Sequence, residues 1–334
     1  MAVTLRDIAK HVNLSHATVS FVLNNRRDVA IPETTRIRVK AAAKELGYHP
    51  NRAARALVMG RTRVIGVWTP PLTSHYVQSI FQGITDTFRT AGFDSLYCRH
   101  SPEYATRPFE WPVDGIIYVE GDAAKAEEVL PEGVPVVQIG SRLTEGLDQI
   151  NVDIAAGASE AIRHLLEGGR SNIVCIAREP ISIDSTIIRT YNNSIASANK
   201  SPLSLILPIS TQGEMLIFVT EFLRTHPKTD AILCTSLEIT RVVRRALADL
   251  ALRIPADVAI VGFDYSDDLE FETPSITAIE IPTDRIVELA TEMLLARMAD
   301  ANLPPRKETV ATNLRILEST RSTARKVAEG VSTY

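Results

Sequence analysis

Four side chains within one short segment, His16, Ala17, Ser20 and Phe21, offer an imidazole, a hydroxyl and apolar surface along one side of a single predicted helix. That mixture suits the reading of base edges in a DNA groove, where hydrogen bonds and methyl contacts discriminate between base pairs. Catalytic alternatives do not assemble. The sequence has no Walker-type glycine loop, no GxGxxG after a strand, no GxSxG elbow and no HExxH helix. Its seven histidines (11, 16, 49, 75, 100, 164 and 226) are scattered. Cys98, Cys175 and Cys234 are far apart, each in an apolar stretch, and read as reduced, buried thiols. No metal and no cofactor is expected, and no enzymatic activity.

The elements that must hold those side chains are legible nearby. In Thr4–Val12, apolar residues at 5, 8, 9 and 12 share one helical face, and Thr4 with Asp7 resembles a capping box. Asn13 and Leu14 make a tight break. Ser15 then stands as the N-cap of a second helix reaching about Asn24, which buries Val19, Val22 and Leu23. A third helix is expected from Pro32 to Leu46, closing a core with Ile37, Val39, Ala41, Ala42 and Leu46 before Gly47 stops it. Two short helices joined this tightly can lay the second in a major groove.

Charge supports the same partner. The chain carries a net charge of −4, yet residues 1–63 hold 12 Lys and Arg against four acids, leaving 24 against 36 for the rest. A compact positive head on an acidic body is the footprint of a unit that displaces counterions from phosphates. No apolar run approaches the ~20 residues of a membrane helix and no secretory pattern opens the chain, so a cytoplasmic protein without membrane contact is expected.

After the head, Pro50 to Gly60 brackets a helix of two turns, too short to stand alone and so ordered only when something binds it. Ala53 and Ala54 permit close approach to a partner helix or groove floor. Leu57 is either a wedge that pries open a minor-groove base step or an ordinary linker residue packed on the body. The organisation expected is a helix-turn-helix domain over 1–49, a hinge helix and linker over 50–62, and a sensing and dimerisation domain over 63–330.

The runs Val3–Ala9, Ser15–Ser20, Val22–Asn24 and Glu45–Asn51 together resemble the lactose/galactose-repressor family of bacterial regulators. That resemblance implies DNA contacts from Ser15, His16, Ala17, Ser20, Phe21 and Asn24, with Thr4, Leu5, Asn51 and Ala54 on the DNA side and Leu57 at the intercalating position. Many members carry Arg or His where Phe21 stands. Phe21 either touches a thymine methyl or serves as a further core residue of the head.

From Arg63 onward, apolar runs at 64–68, 115–119, 135–139, 173–176, 231–234 and 258–263 alternate with amphipathic segments at 76–91, 157–167, 239–250 and 285–298. Strands apolar throughout are strands covered on both faces, so the body reads as a doubly wound α/β unit of two subdomains. Ligands of such folds bind beyond the carboxyl ends of the strands. The resemblance continues here, since the body is similar to the family's periplasmic-binding-protein-like domain.

It implies effector contacts from Ser74, Tyr76, Arg189 and Asp264. Arg189 is otherwise an interdomain salt-bridge residue, and Asp264 otherwise a cap. Thr235 replaces a common amide and Arg142 follows Ser141, where an acid is customary; both are counted with the cleft. These changes remove groups that clamp polyols. Two readings therefore stand: a repressor that binds a palindromic operator as a homodimer under control of a small molecule of the sugar or sugar-like class, or an operator binder with a degenerate pocket, constitutive or governed by a protein partner.

Overall fold

A computed structural model describes residues 3–48, 56, 60–72, 74–99, 112–120, 130–140, 144–179, 182–208 and 211–321. The chain divides into two compact units, Met1–Thr62 and Arg63–Tyr334.

The first unit holds α1 (Leu5–His11), α2 (His16–Leu23) and α3 (Glu33–Glu45). Their core is Ile8, Ala9, Val12, Val19, Val22, Val39, Ala42 and Ala43. Asn13 takes φ +51° in the break between α1 and α2, and Gly47 takes φ +66° after α3. Helix α3 buries Val39 and Ala42 as expected, with Leu46 packed on the core, but part of its inward face differs. Ile37 is 61% exposed and Ala41 faces solvent, while Arg36 and Ala43 turn inward.

The reason is polar. The Arg36 guanidinium donates to the carbonyls of Arg26, Val29 and Ile31, so an arginine fills a core position by satisfying the backbone of the preceding loop. Of the hinge expected over 50–62, Asn51, Ala54 and Leu57 lie outside the described residues.

The second unit contains two parallel-dominated sheets. The first joins β1 (Val64–Thr69), β2 (Asp94–Arg99), β3 (Gly115–Val119), β4 (Val136–Gly140), β5 (Asp148–Asp153) and β11 (Lys307–Ala311) in the order β11-β5-β4-β3-β1-β2. The second joins β6 (Ile173–Arg178), β7 (Leu203–Leu207), β8 (Ala231–Cys234), β9 (Ala259–Phe263), β10 (Ala278–Glu280) and β12 (Asn313–Arg315) in the order β12-β10-β9-β8-β6-β7. Among the described residues, only the β10–β12 pair is antiparallel.

Helices α4 (His75–Thr90), α5 (Ile154–Glu167), α6 (Ser182–Ser197), α7 (Gln212–Thr225), α8 (Leu237–Asp249) and α9 (Thr283–Ala299) complete this unit among the described residues. In each sheet strand order reverses beside the first strand of its lobe, between β1 and β3 and between β6 and β8, which is where such sheets open a crevice. The chain passes between sheets three times, after β5, after β10 and between β11 and β12.

Candidate DNA-reading face and effector cleft

Both reading-head caps form as their residue types require. Thr4 Oγ accepts the Asp7 N–H at 3.4 Å while the Thr4 N–H donates to the Asp7 carboxylate at 2.9 Å. Ser15 Oγ accepts the Thr18 N–H at 3.1 Å, which starts α2 and spends that hydroxyl on the backbone. His16, Ala17 and Asn24 are exposed, and Ser20 and Phe21 are half-buried. The Asn24 amide donates to Ser20 Oγ at 3.2 Å. Ser15, His16, Ala17, Ser20, Phe21 and Asn24 thus share one short helix and its two ends. Leu5 stands apart from them, half-buried and packed on the head core.

Two residues unmarked by the sequence reading matter at this face. The Arg26 guanidinium lies over the Phe21 ring, 5.8 Å from its centroid, and its Nε donates to Asp28 Oδ1 at 2.7 Å. The second is Arg36, which holds the Arg26 carbonyl at 2.7 Å. Neither is detectable by spacing, because a basic residue bound to loop carbonyls reads like any other surface cation.

In the body, Ser74 Oγ accepts the Val77 N–H at 3.2 Å and caps α4. Tyr76 follows, buried, its phenol donating to Glu120 Oε1 at 3.3 Å. Asp264, immediately after β9, is 5% exposed and takes φ +69°. The backbone N–H groups of His75 and Tyr76 face its carboxylate and favour its ionised form, so a side chain from the second lobe lies near the start of a first-lobe helix.

Burial pushes the Asp264 carboxyl up to about 6, against the downward pull of those N–H groups and of His75. Burial also raises the Tyr76 phenol well above its usual value, assisted by the negative charges of Glu120 and Asp264. Glu120 was missed by the sequence reading. Its signal is positional: it is the first residue past an apolar strand, where ligand-facing groups of such folds collect.

Thr235 lies just past β8, almost fully buried, and its hydroxyl has no hydrogen-bond partner among the described residues. Arg178 closes β6 and pairs with Glu238 at 3.0 Å. Arg189 on α6 is exposed and forms no ion pair among the described residues, so it makes no interdomain salt bridge there. Arg142 lies outside the described residues. The structure therefore brings Ser74, Tyr76, Glu120 and Asp264 together. Among the described residues no group of three or more His, Cys, Asp or Glu could hold a metal, and no helix is long and apolar enough to cross a membrane.

A helix-turn-helix unit followed by a two-lobed, doubly wound body with its crevice at the strand ends defines a class, the DNA-binding regulators with a periplasmic-binding-protein-like sensor. Residues 4–51 match the bacterial regulatory proteins of the lacI family, and residues 162–320 match the periplasmic binding protein-like domain. The chain is 30% identical over 312 residues to the transcriptional regulator RegA of Clostridium acetobutylicum, covering 88% of this chain and 92% of that one. It is 26% identical over 314 residues to the regulator GntR of Escherichia coli K12, covering 90% and 94%.

Among solved structures, the lac repressor dimer bound to operator and the anti-inducer ONPF superposes with a TM-score of 0.81 at 21% identity, over 96% of this chain and 100% of that one. The complex of the regulator CelR with cellobiose gives 0.66 at 24% identity, over 95% and 99%. The chain belongs to the lacI family of bacterial regulatory proteins. It is a helix-turn-helix transcription regulator.

Proposed function

We propose that this protein is a cytoplasmic repressor that binds a two-fold symmetric double-stranded DNA operator as a homodimer, and that a small polar effector in the cleft of the body controls that binding. The observation that carries the reading is the α2 face, which presents His16, Ala17 and Asn24 outward from the most basic part of the chain. One such helix makes too few contacts for operator-level affinity, so two copies on a palindrome are required. Asn51, Ala54 and Leu57 act in the hinge, Leu57 as the minor-groove wedge.

Effector control rests on Asp264. A carboxylate that joins one lobe to the other is a group whose partners change whenever the lobes move, so a ligand competing for it shifts the balance between arrangements. Sugars and sugar-like metabolites are the first class to test, given cellobiose in the CelR complex. The second reading, an operator binder without an effector, draws on the same residue: the His75 and Tyr76 backbone N–H groups already face Asp264, and Arg189 is exposed.

A thermal-shift screen with sugars, nucleosides and phosphorylated metabolites separates the two. A compound that stabilises the protein and changes its operator affinity supports effector control. Silence across the library, with operator binding intact, favours the second reading.

A further inference from the structure

Helix α2 presents one large apolar side chain, and its surroundings are built rather than incidental. Phe21 is half-buried yet belongs to no core cluster of the head, so its ring is not there to fill the interior. One side of the ring is covered by the Arg26 guanidinium at 5.8 Å. That cation is itself committed: Nε and Nη2 of Arg26 grip the two carboxylate oxygens of Asp28, the first at 2.7 Å. Hydrogen bonding to Arg26 holds the Asp28 carboxyl down at about 2, so the pair stays ionised throughout the physiological range.

The turn carrying Arg26 is anchored in turn, because Arg36 donates to the Arg26, Val29 and Ile31 carbonyls from α3. A guanidinium engaged in this way is not free to fork onto a guanine, and serves instead as a lid over one side of the ring. What α2 then offers beside Ser20 and Ala17 is a braced aromatic surface without a donor. Against guanine it would leave O6 and N7 unpaired. Against a pyrimidine bearing a 5-methyl group it makes an apolar contact.

We propose that Phe21 is a specificity-determining residue that reads the 5-methyl group of a pyrimidine in each operator half-site, and that Arg26, clamped by Asp28, is the positioning residue that braces its ring. This rests on the reading of α2 as the base-contacting helix. Thymine and 5-methylcytosine both carry that methyl at the same place in the major groove.

The test uses the full chain. An operator is first selected from random duplexes, and each thymine in it is then replaced singly by deoxyuridine, which removes only the methyl. The expected result is one position per half-site where uracil weakens binding roughly fourfold, the worth of one buried methyl. At that position 5-methylcytosine should bind better than cytosine. Phe21→Ala should abolish the thymine–uracil difference, and Arg26→Ala should shrink it, while salt-dependent binding to unrelated DNA persists in both.

No methyl-sensitive thymine, an undiminished difference in Phe21→Ala, or 5-methylcytosine bound no better than cytosine would each overturn the proposal. The wild-type scan needs no variant, so it decides even if a substitution perturbs folding. Failure to select any operator counts instead against the underlying DNA-reading role.

Discussion

The Gly157 N–H donates to Thr312 Oγ at 2.9 Å, joining residues 155 positions apart in the sequence. Thr312 Oγ donates in turn to the Asp153 carbonyl at 2.9 Å. Asp153 ends β5 where the chain first leaves the first sheet, and Thr312 lies between β11 and β12 where it leaves for the last time. One hydroxyl therefore ties two of the three passages between lobes.

Gly157→Ala should break this tie. A Cβ there would run into Thr312 Oγ and into Ile279, both buried. Overpacking of this kind costs about 1–3 kcal/mol. The melting temperature should fall by several degrees, and calorimetry of the body transition checks it. A variant as stable as the wild type would show that the passages move apart freely.

Asp264 should make the body less stable at neutral pH than at mildly acid pH. Its folded value is raised to about 6 from 3.8, so the folded state prefers the protonated form. The contribution is most favourable below about pH 4, declines between pH 4 and 6, and is lost above that, a swing of up to about 3 kcal/mol. Asp264→Asn should therefore raise the melting temperature at pH 7.5, and the advantage should shrink by pH 5. A constant or inverted difference would mean that the carboxylate is stabilised as an anion.

Arg36→Ala should loosen the loop that follows α2. It strands three carbonyls, at Arg26, Val29 and Ile31, that the guanidinium now satisfies. A loss of about 2–3 kcal/mol in the head is expected. Hydrogen exchange over residues 26–31 of the full chain should accelerate, with exchange in the body unchanged.

Tyr191→Phe should detach an edge. The buried phenol donates to the Ile173 carbonyl at 2.7 Å and accepts the Leu203 N–H at 3.0 Å, linking α6 to β6 and to the edge strand β7. Removing it leaves a strand-end amide unpaired at a cost of about 1–3 kcal/mol. Faster exchange in residues 203–207 is the expected readout.

The legible parts of this fold are those where burial leaves a pattern. Strands β1, β3, β4, β6, β8 and β9 are mostly apolar because helices cover both their faces, and the sequence shows each as an apolar run, interrupted in β4 by the buried Gln138. The edge strands β2, β7 and β11 alternate irregularly between exposure and burial and escape that test. Strand β5 escapes for a different reason. It is polar and buried, tolerated because Asp148 receives Arg297 in a two-pronged pair at 3.0 Å and the Arg306 N–H at 2.8 Å.

The sites divide similarly. Caps such as Thr4 and Ser15 are local and were readable from residue type, whereas Glu120 meets Tyr76 across 44 residues and Arg36 turns inward for carbonyls that no spacing marks. A side chain's role was visible where its partner was a sequence neighbour.

Whether the first unit reads DNA sequence is decided by selection of the full-length protein on random duplexes at about 0.15 M salt. A two-fold symmetric site should be enriched, bound at least about a thousandfold more tightly than scrambled DNA. Enrichment of no site, with all duplexes bound alike and equally salt-sensitive, would contradict sequence reading by the first unit.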